Sequence, residues 1–187
     1  DGQRAYKMTV VTQCRDGRPG AEIFLRYSAD GIHWSAPVAT YYSGGDRSTF
    51  FYNPFRGKWV YSLRHDDKEV GRARKYAECT DLADGMRQLK DIGRLWTCAD
   101  RLDPHNPNEQ LSKIEPQLYN LDAVAYESLI IGMFSVWQGD WAGNLQIPKE
   151  KRNEVLLGFS RDGFHWHRPD RRPFVGVNES PGAWNWG

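Results

Sequence analysis

Several absences narrow the function before any motif is read. Net charge is nearly missing: 25 Lys and Arg against 24 Asp and Glu leave +1 over 187 residues. That balance excludes the strongly basic surface that nucleic-acid binding requires. No apolar run reaches membrane-span length; the longest, residues 129–137, is strand-sized and interrupted by Gly132. No signal peptide opens the chain, whose first residues lead directly into a strand. Cysteine is scarce: Cys14, Cys79 and Cys98 include no Cys-x-x-Cys pair and match no zinc spacing. An odd count leaves at least one thiol without an internal partner, and which two would pair, if any, spacing does not assign. The five histidines, His33, His65, His105, His165 and His167, also show no ligand spacing, so no metal and no cofactor are expected. Helical periodicity is missing too, and residues 84–95 hold a single turn at most.

What the chain has is a phrase written twice. Ser28-Ala29-Asp30-Gly31-Ile32-His33-Trp34 returns as Ser160-Arg161-Asp162-Gly163-Phe164-His165-Trp166, with five of seven positions identical. Each copy follows a short apolar segment and precedes a proline, Pro37 or Pro169. Asp-Gly is a strong turn dipeptide, because Gly accepts positive φ and Asp bonds nearby backbone N–H groups. The phrase therefore reads as a strand–turn–strand corner with Trp packing over the hairpin. A repeat of this kind means repeated supersecondary units. The copies lie 132 residues apart, from Asp30 to Asp162, and a degraded copy, Tyr76-Ala77-Glu78-Cys79-Thr80-Asp81-Leu82, lies between them. Units of about four strands fit this spacing, which is the blade pattern of a β-propeller.

The remaining pattern is strand after strand. Residues 6–14, 21–27, 48–52, 59–63, 72–79, 117–127, 129–137, 154–160 and 173–177 carry β-branched and aromatic residues between turn signals. Within them, Arg72-Ala73-Arg74-Lys75 reads as a solvated strand edge. Residues 81–115 are polar and irregular, and Asp103-Pro104-His105-Asn106-Pro107-Asn108 is a loop.

Three stretches resemble the five-bladed β-propeller glycoside hydrolases of the invertase and arabinanase type. The first is Asp46-Arg47-Ser48-Thr49-Phe50-Phe51-Tyr52-Asn53-Pro54-Phe55-Arg56-Gly57-Lys58-Trp59, similar to that clan's second-blade opening. The second is Ala125-Tyr126-Glu127-Ser128, similar in position to the third-blade glutamate. The third is the corner around Asp162-Gly163. The resemblance implies an all-β, partial five-bladed propeller of about three blades of four antiparallel strands, at roughly 1–44, 45–110 and 111–177, with another starting at 178. It further implies a single incomplete domain, since five blades need roughly three hundred residues. The activity implied is hydrolysis of a plant or microbial polysaccharide or oligosaccharide, in an extracytoplasmic setting. A carbohydrate is then the expected partner, with neither nucleic acid nor membrane, and oligomeric state stays open. One departure is Asn53, which stands where the clan has an ionisable Asp before Pro. It keeps a non-catalytic carbohydrate-binding or scaffold propeller open as the alternative.

Glycoside hydrolysis needs two carboxyl groups across the scissile bond, one of them held protonated by a desolvated setting. Glu127, within Val124-Ala125-Tyr126-Glu127-Ser128-Leu129-Ile130-Ile131, the most apolar stretch of the chain, is the candidate general acid. Asp46, after Gly44-Gly45 and before an aromatic strand, is the candidate second carboxylate. Asp122 is a third candidate and Glu179 a fourth. An odd offset points Asp122 away from Glu127 in a straight strand, unless a bulge realigns them. Tyr126, Trp137, Trp141 and Trp184 or Trp186 offer faces for sugar stacking. Arg47 and Arg64 offer forks for hydroxyls or a uronic carboxylate.

Overall fold

The computed structural model describes residues 2–13, 20–43, 47–140 and 152–185. Among them the chain is mostly β with one α-helix, and its strands form three antiparallel sheets, none of them closed. The first sheet contains β1 (Tyr6–Gln13), β2 (Ala21–Ser28) and β3 (Ala39–Ser43). The second contains β4 (Thr49–Asn53), β5 (Lys58–Asp67), β6 (Gly71–Cys79) and β7 (Arg94–Cys98). The third contains β8 (Gln117–Tyr126), β9 (Leu129–Trp137) and β10 (Asn153–Ser160). Within each sheet, strands adjacent in sequence are adjacent in space. Period-two burial explains the strands: β2 buries Ala21, Ile23, Leu25 and Tyr27 and leaves the residues between them half exposed. The short strands β3 and β7 carry no sequence signal that marks them. Residues 173–177 form only an isolated bridge, Val155 to Val175, rather than the expected strand.

The two corners are chemically identical. Asp30 Oδ1 accepts from Ile32 N and His33 N, both at 2.8 Å, and Asp162 Oδ1 accepts from Phe164 N and His165 N, both at 2.8 Å. Gly31 and Gly163 share φ 78°. Both returns begin with the same bond, Ser35 N to Tyr27 O and His167 N to Phe159 O, each 2.9 Å. The tryptophan does not open a strand in either copy. Trp166 instead fills a slot over Gly132, where an added Cβ would lie 2.5 Å from its ring. Gly132 and Gly158 face each other across β9 and β10.

Where the second sheet would make a corner, the chain makes a helix. Helix α1 (Leu82–Ile92) replaces the single turn expected in this region. Asp81 caps it, its side chain accepting from Ala83 N and Asp84 N at 2.9 and 3.0 Å. Leu82, Met86 and Leu89 recur on one face and enter the core between the first two sheets, with Leu25, Tyr27, Tyr61 and Leu63. The second and third sheets meet over Phe51, Val60, Tyr76 and Ile130, with Trp96 and Trp166 packed against them.

The edge strands β4 and β8 of the second and third sheets lie against each other and run the same way, so these two sheets share two ends. At the lower end, Asn53 Nδ2 donates to Asp162 O at 2.7 Å. Asn53 is fully buried, and its Oδ1 also accepts from Phe55 N and Arg56 N, so it is a turn residue rather than a vacant catalytic position. At the upper end, Gln117 Oε1 accepts from Arg72 N at 3.0 Å. A salt-bridge network pins the 99–116 loop there. Buried Arg168 meets Asp103 at 2.8 Å and Asp100 at 2.9 Å, and Arg171 meets the same two carboxylates.

Candidate functional site

The structure separates the candidate residues between the two ends. Arg47, Arg64 and Trp137 belong to the upper end, where β4, β6 and β8 begin and β5 and β9 finish, while Asp122 lies midway along β8, opposite Met133. Tyr126 and Glu127 lie at the lower end. Glu127 is exposed in the two-residue turn between β8 and β9, at φ 50°. Tyr126 is 63% exposed beside it. Seven residues of strand separate Tyr126 from Tyr119, about 23 Å at the usual rise. Glu127 therefore lacks the desolvated strand interior expected of it: the apolar run around it belongs to two strands, and the glutamate is the turn between them. Asp46, Trp141 and Trp186 lie outside the described residues. Trp184 is 86% exposed, and Glu179 pairs with Arg152 at 3.1 Å.

The upper end is organised by an arginine. Arg74 is fully buried and spans three strands. Its guanidinium donates to Ser62 Oγ at 3.0 Å, to Ser62 O, to Tyr119 O at 3.4 Å and to Arg47 O at 2.6 Å. Arg47 adopts φ 60°, the left-handed region that a non-glycine residue enters only when its surroundings hold it there. In β8 the register shifts between Leu118 and Asn120. That shift is a bulge, which re-aims the Tyr119 ring.

Around Tyr119 the side chains form a stack. The Arg47 and Arg72 guanidiniums lie 5.6 and 5.0 Å from the Tyr119 ring centre. Trp137 meets Tyr119 edge-on at 5.3 Å, and Arg72 lies 4.3 Å over the Trp137 ring. Gly71, at φ 68°, allows the close approach of Gln117, since an added Cβ would lie 2.8 Å from that side chain. Asn120 Nδ2 donates to Asp122 Oδ2 at 2.6 Å, holding this carboxylate on β8. Arg64 is tied to Asp66 at 3.2 Å. Beside the stack opens a cleft of about 680 Å³, lined in part by Asp67, Gly71, Gln117 and Asp140.

This end also holds polar atoms that nothing satisfies. Arg72 Nε, Asn120 Oδ1, Trp137 Nε1 and Gln138 Oε1 are buried without a hydrogen-bond partner among the described residues. Each such atom costs about 1–3 kcal/mol if it stays unmet. Native proteins leave few of them, and these lie together where the second and third sheets meet. The sequence signal for part of this was present but misread. Arg72 and Arg74 alternate with small Ala73, which puts both on one strand face; they form the buried stack and its anchor, not a solvated edge.

Other chemistry is less well served here. Cys79 and Cys98 are free, and burial raises both thiols, so neither is an activated nucleophile. Cys14 lies outside the described residues. Among the described residues no cluster of His, Cys, Asp and Glu is arranged to hold a metal ion, and no helix is long and apolar enough to cross a membrane. Compared with known proteins, the chain matches no family model, no curated protein and no solved structure.

Proposed function

We propose that the three sheets are blades of a β-propeller and that the chain binds carbohydrate at the upper end, over Arg47, Tyr119 and the neighbouring cleft. The observation that carries this reading is the arginine–aromatic stack of Arg47 and Arg72 on Tyr119 and Trp137, beside an open cleft. A saccharide suits such a place: its C–H face packs on aromatic surface, while its hydroxyls accept from guanidinium N–H groups. Binding takes precedence over cleavage because Glu127, the candidate general acid, is exposed at the far end of the sheet. Calorimetric titration of the chain with oligosaccharides tests the reading. Tyr119→Ala is expected to weaken binding at least tenfold, and Glu127→Gln to leave it unchanged. Loss of binding in Glu127→Gln with none in Tyr119→Ala would move the site to the lower end.

Hydrolysis is the second reading, and Asp122 is the observation that favours it. It is the carboxylate within β8, midway along the strand and held by Asn120 at 2.6 Å. Asp46, immediately before Arg47, would be its partner across the bond. Reducing-sugar release that Asp122→Asn abolishes and Glu127→Gln spares supports this reading; no release from any glycan tested leaves binding alone.

A further inference from the structure

The charge on the Tyr119 stack is unbalanced. Elsewhere the chain matches its partly buried guanidiniums: Arg152 meets Glu154 at 2.8 Å, Arg168 meets Asp103 at 2.8 Å, and Arg171 meets Asp100 at 2.9 Å. Arg74 is surrounded by oxygens. Arg47 and Arg72 have no carboxylate partner among the described residues. The cross-strand neighbour of Arg72 is Asp66, and Asp66 is engaged by Arg64. Arg72 is half-buried, with its Nε–H lacking an acceptor, and it rests on two aromatic rings. Arg47 approaches the same Tyr119 ring, held by a left-handed backbone whose carbonyl is fixed by Arg74.

Two cations converging on one ring repel each other and cost free energy unless an anion is shared between them. A forked guanidinium meets a planar carboxylate, the anion of uronic sugars, through two parallel N–H···O bonds. We infer that the saccharide bound at this end carries a carboxylate, as a uronic acid unit does, seated between Arg47 and Arg72 with its ring against Tyr119. The inference rests on the saccharide-binding reading above and adds the acid. Asp122, the carboxylate of β8, is engaged by Asn120 and pairs with neither arginine.

The test titrates the chain with oligogalacturonate, glucuronoxylan oligosaccharide and alginate oligosaccharide, each beside its carboxyl-reduced neutral counterpart. At least one acidic oligosaccharide is expected to bind about tenfold to a hundredfold more tightly than its reduced form, as a charge-assisted pair predicts. That preference should shrink with added salt. Arg47→Gln and Arg72→Gln should each bring the acid and its reduced form to the same affinity. Arg47 is exposed, so its variant carries the test even where Arg72→Gln perturbs the fold. Equal binding of every acid and its reduced form overturns the carboxylate and leaves the saccharide site standing. Absence of binding by both forms of all three overturns the saccharide reading, and the inference with it.

Discussion

Gly31 and Gly163 hold the same backbone angle in the same corner, yet their surroundings differ. A Cβ at Gly31 would meet only the Tyr6 ring at 3.6 Å, whereas one at Gly163 would meet Asn53 Nδ2 at 2.7 Å and Ile130 at 3.2 Å. Gly31→Ala is expected to cost about 1–2 kcal/mol, the penalty of a left-handed alanine. Gly163→Ala adds a clash with a buried bond between two sheets, worth about 1–3 kcal/mol more. Urea midpoints of the two variants check the order, and equal costs would mean that the sheets do not meet at Asn53. The corner aspartates set a pH response. The His33 ring and the N–H groups of His33 and Ile32 hold Asp30 below the usual carboxylate range. Burial works against Asp162, but its bonds to the His165 ring and to the N–H groups of Phe164 and His165 more than offset it and hold it low as well. A carboxyl lowered in the fold contributes stability above its unfolded pKa and loses it as pH falls through its folded value. The stability advantage of the native chain over Asp162→Asn should therefore be full at neutral pH and shrink as pH drops below about 4. An advantage that persists unchanged at pH 2 would contradict this.

At the scale of elements, α1 makes the sharpest prediction. Gly85 is in the middle of the helix, where alanine normally adds about 1 kcal/mol of stability. A Cβ at this position would overlap Cys79 Sγ at 2.1 Å and press on Tyr61 at 3.1 Å. Gly85→Ala is therefore expected to destabilise by about 1–3 kcal/mol, the cost of overpacking. Thermal melts would refute the packing of α1 on β6 if the variant melted higher. This helix also shows where the sequence was legible and where it was not. The long strands were readable because one face of each is buried, and period two follows from that. The short strands β3 and β7 were not; β4 is equally short, but its run of aromatic residues between turn signals marked it. The helix had a legible cap, Asp81, and a spaced Leu82, Met86 and Leu89. Gly85 and its polar neighbours hid that pattern, because the glycine is there to fit Cys79 rather than to break a helix.

For the whole molecule, the outer face of the third sheet is open. Val124 and Met133 are exposed, and Ile131 and Leu157 stand half-buried between them, with Phe159 exposed at the edge. Apolar faces of this kind drive association. The chain is expected to sediment with a concentration-dependent mass, and Met133→Glu with Phe159→Glu to reduce that dependence. A monomer at all concentrations would mean that the face is covered. Arrangement at this scale also decides the candidate site. Sequence placed Arg47, Arg64, Asp122, Tyr126, Trp137 and Glu127 on one list of polar and aromatic candidates. The sheets put Tyr126 and Glu127 at one end, Arg47, Arg64 and Trp137 towards the opposite end, and Asp122 midway between them.

By itself the sequence determined the β character of the chain and the identity of its two Asp-Gly corners. Both are local: alternation and turn chemistry act over a few residues, and the same seven-residue phrase makes the same bonds wherever it occurs. Only the tertiary structure decided which polar residues meet. Arg72, Arg74, Tyr119, Asn120, Trp137 and Gln138 are brought together by the packing of β6 in one sheet against β8 in another, and by a bulge in β8 that no residue pattern announces. Whether a carboxylate is desolvated depends on what packs over it. Glu127 was misjudged for that reason, since its apolar neighbours in sequence belong to two strands that pair with each other and leave the turn between them in water.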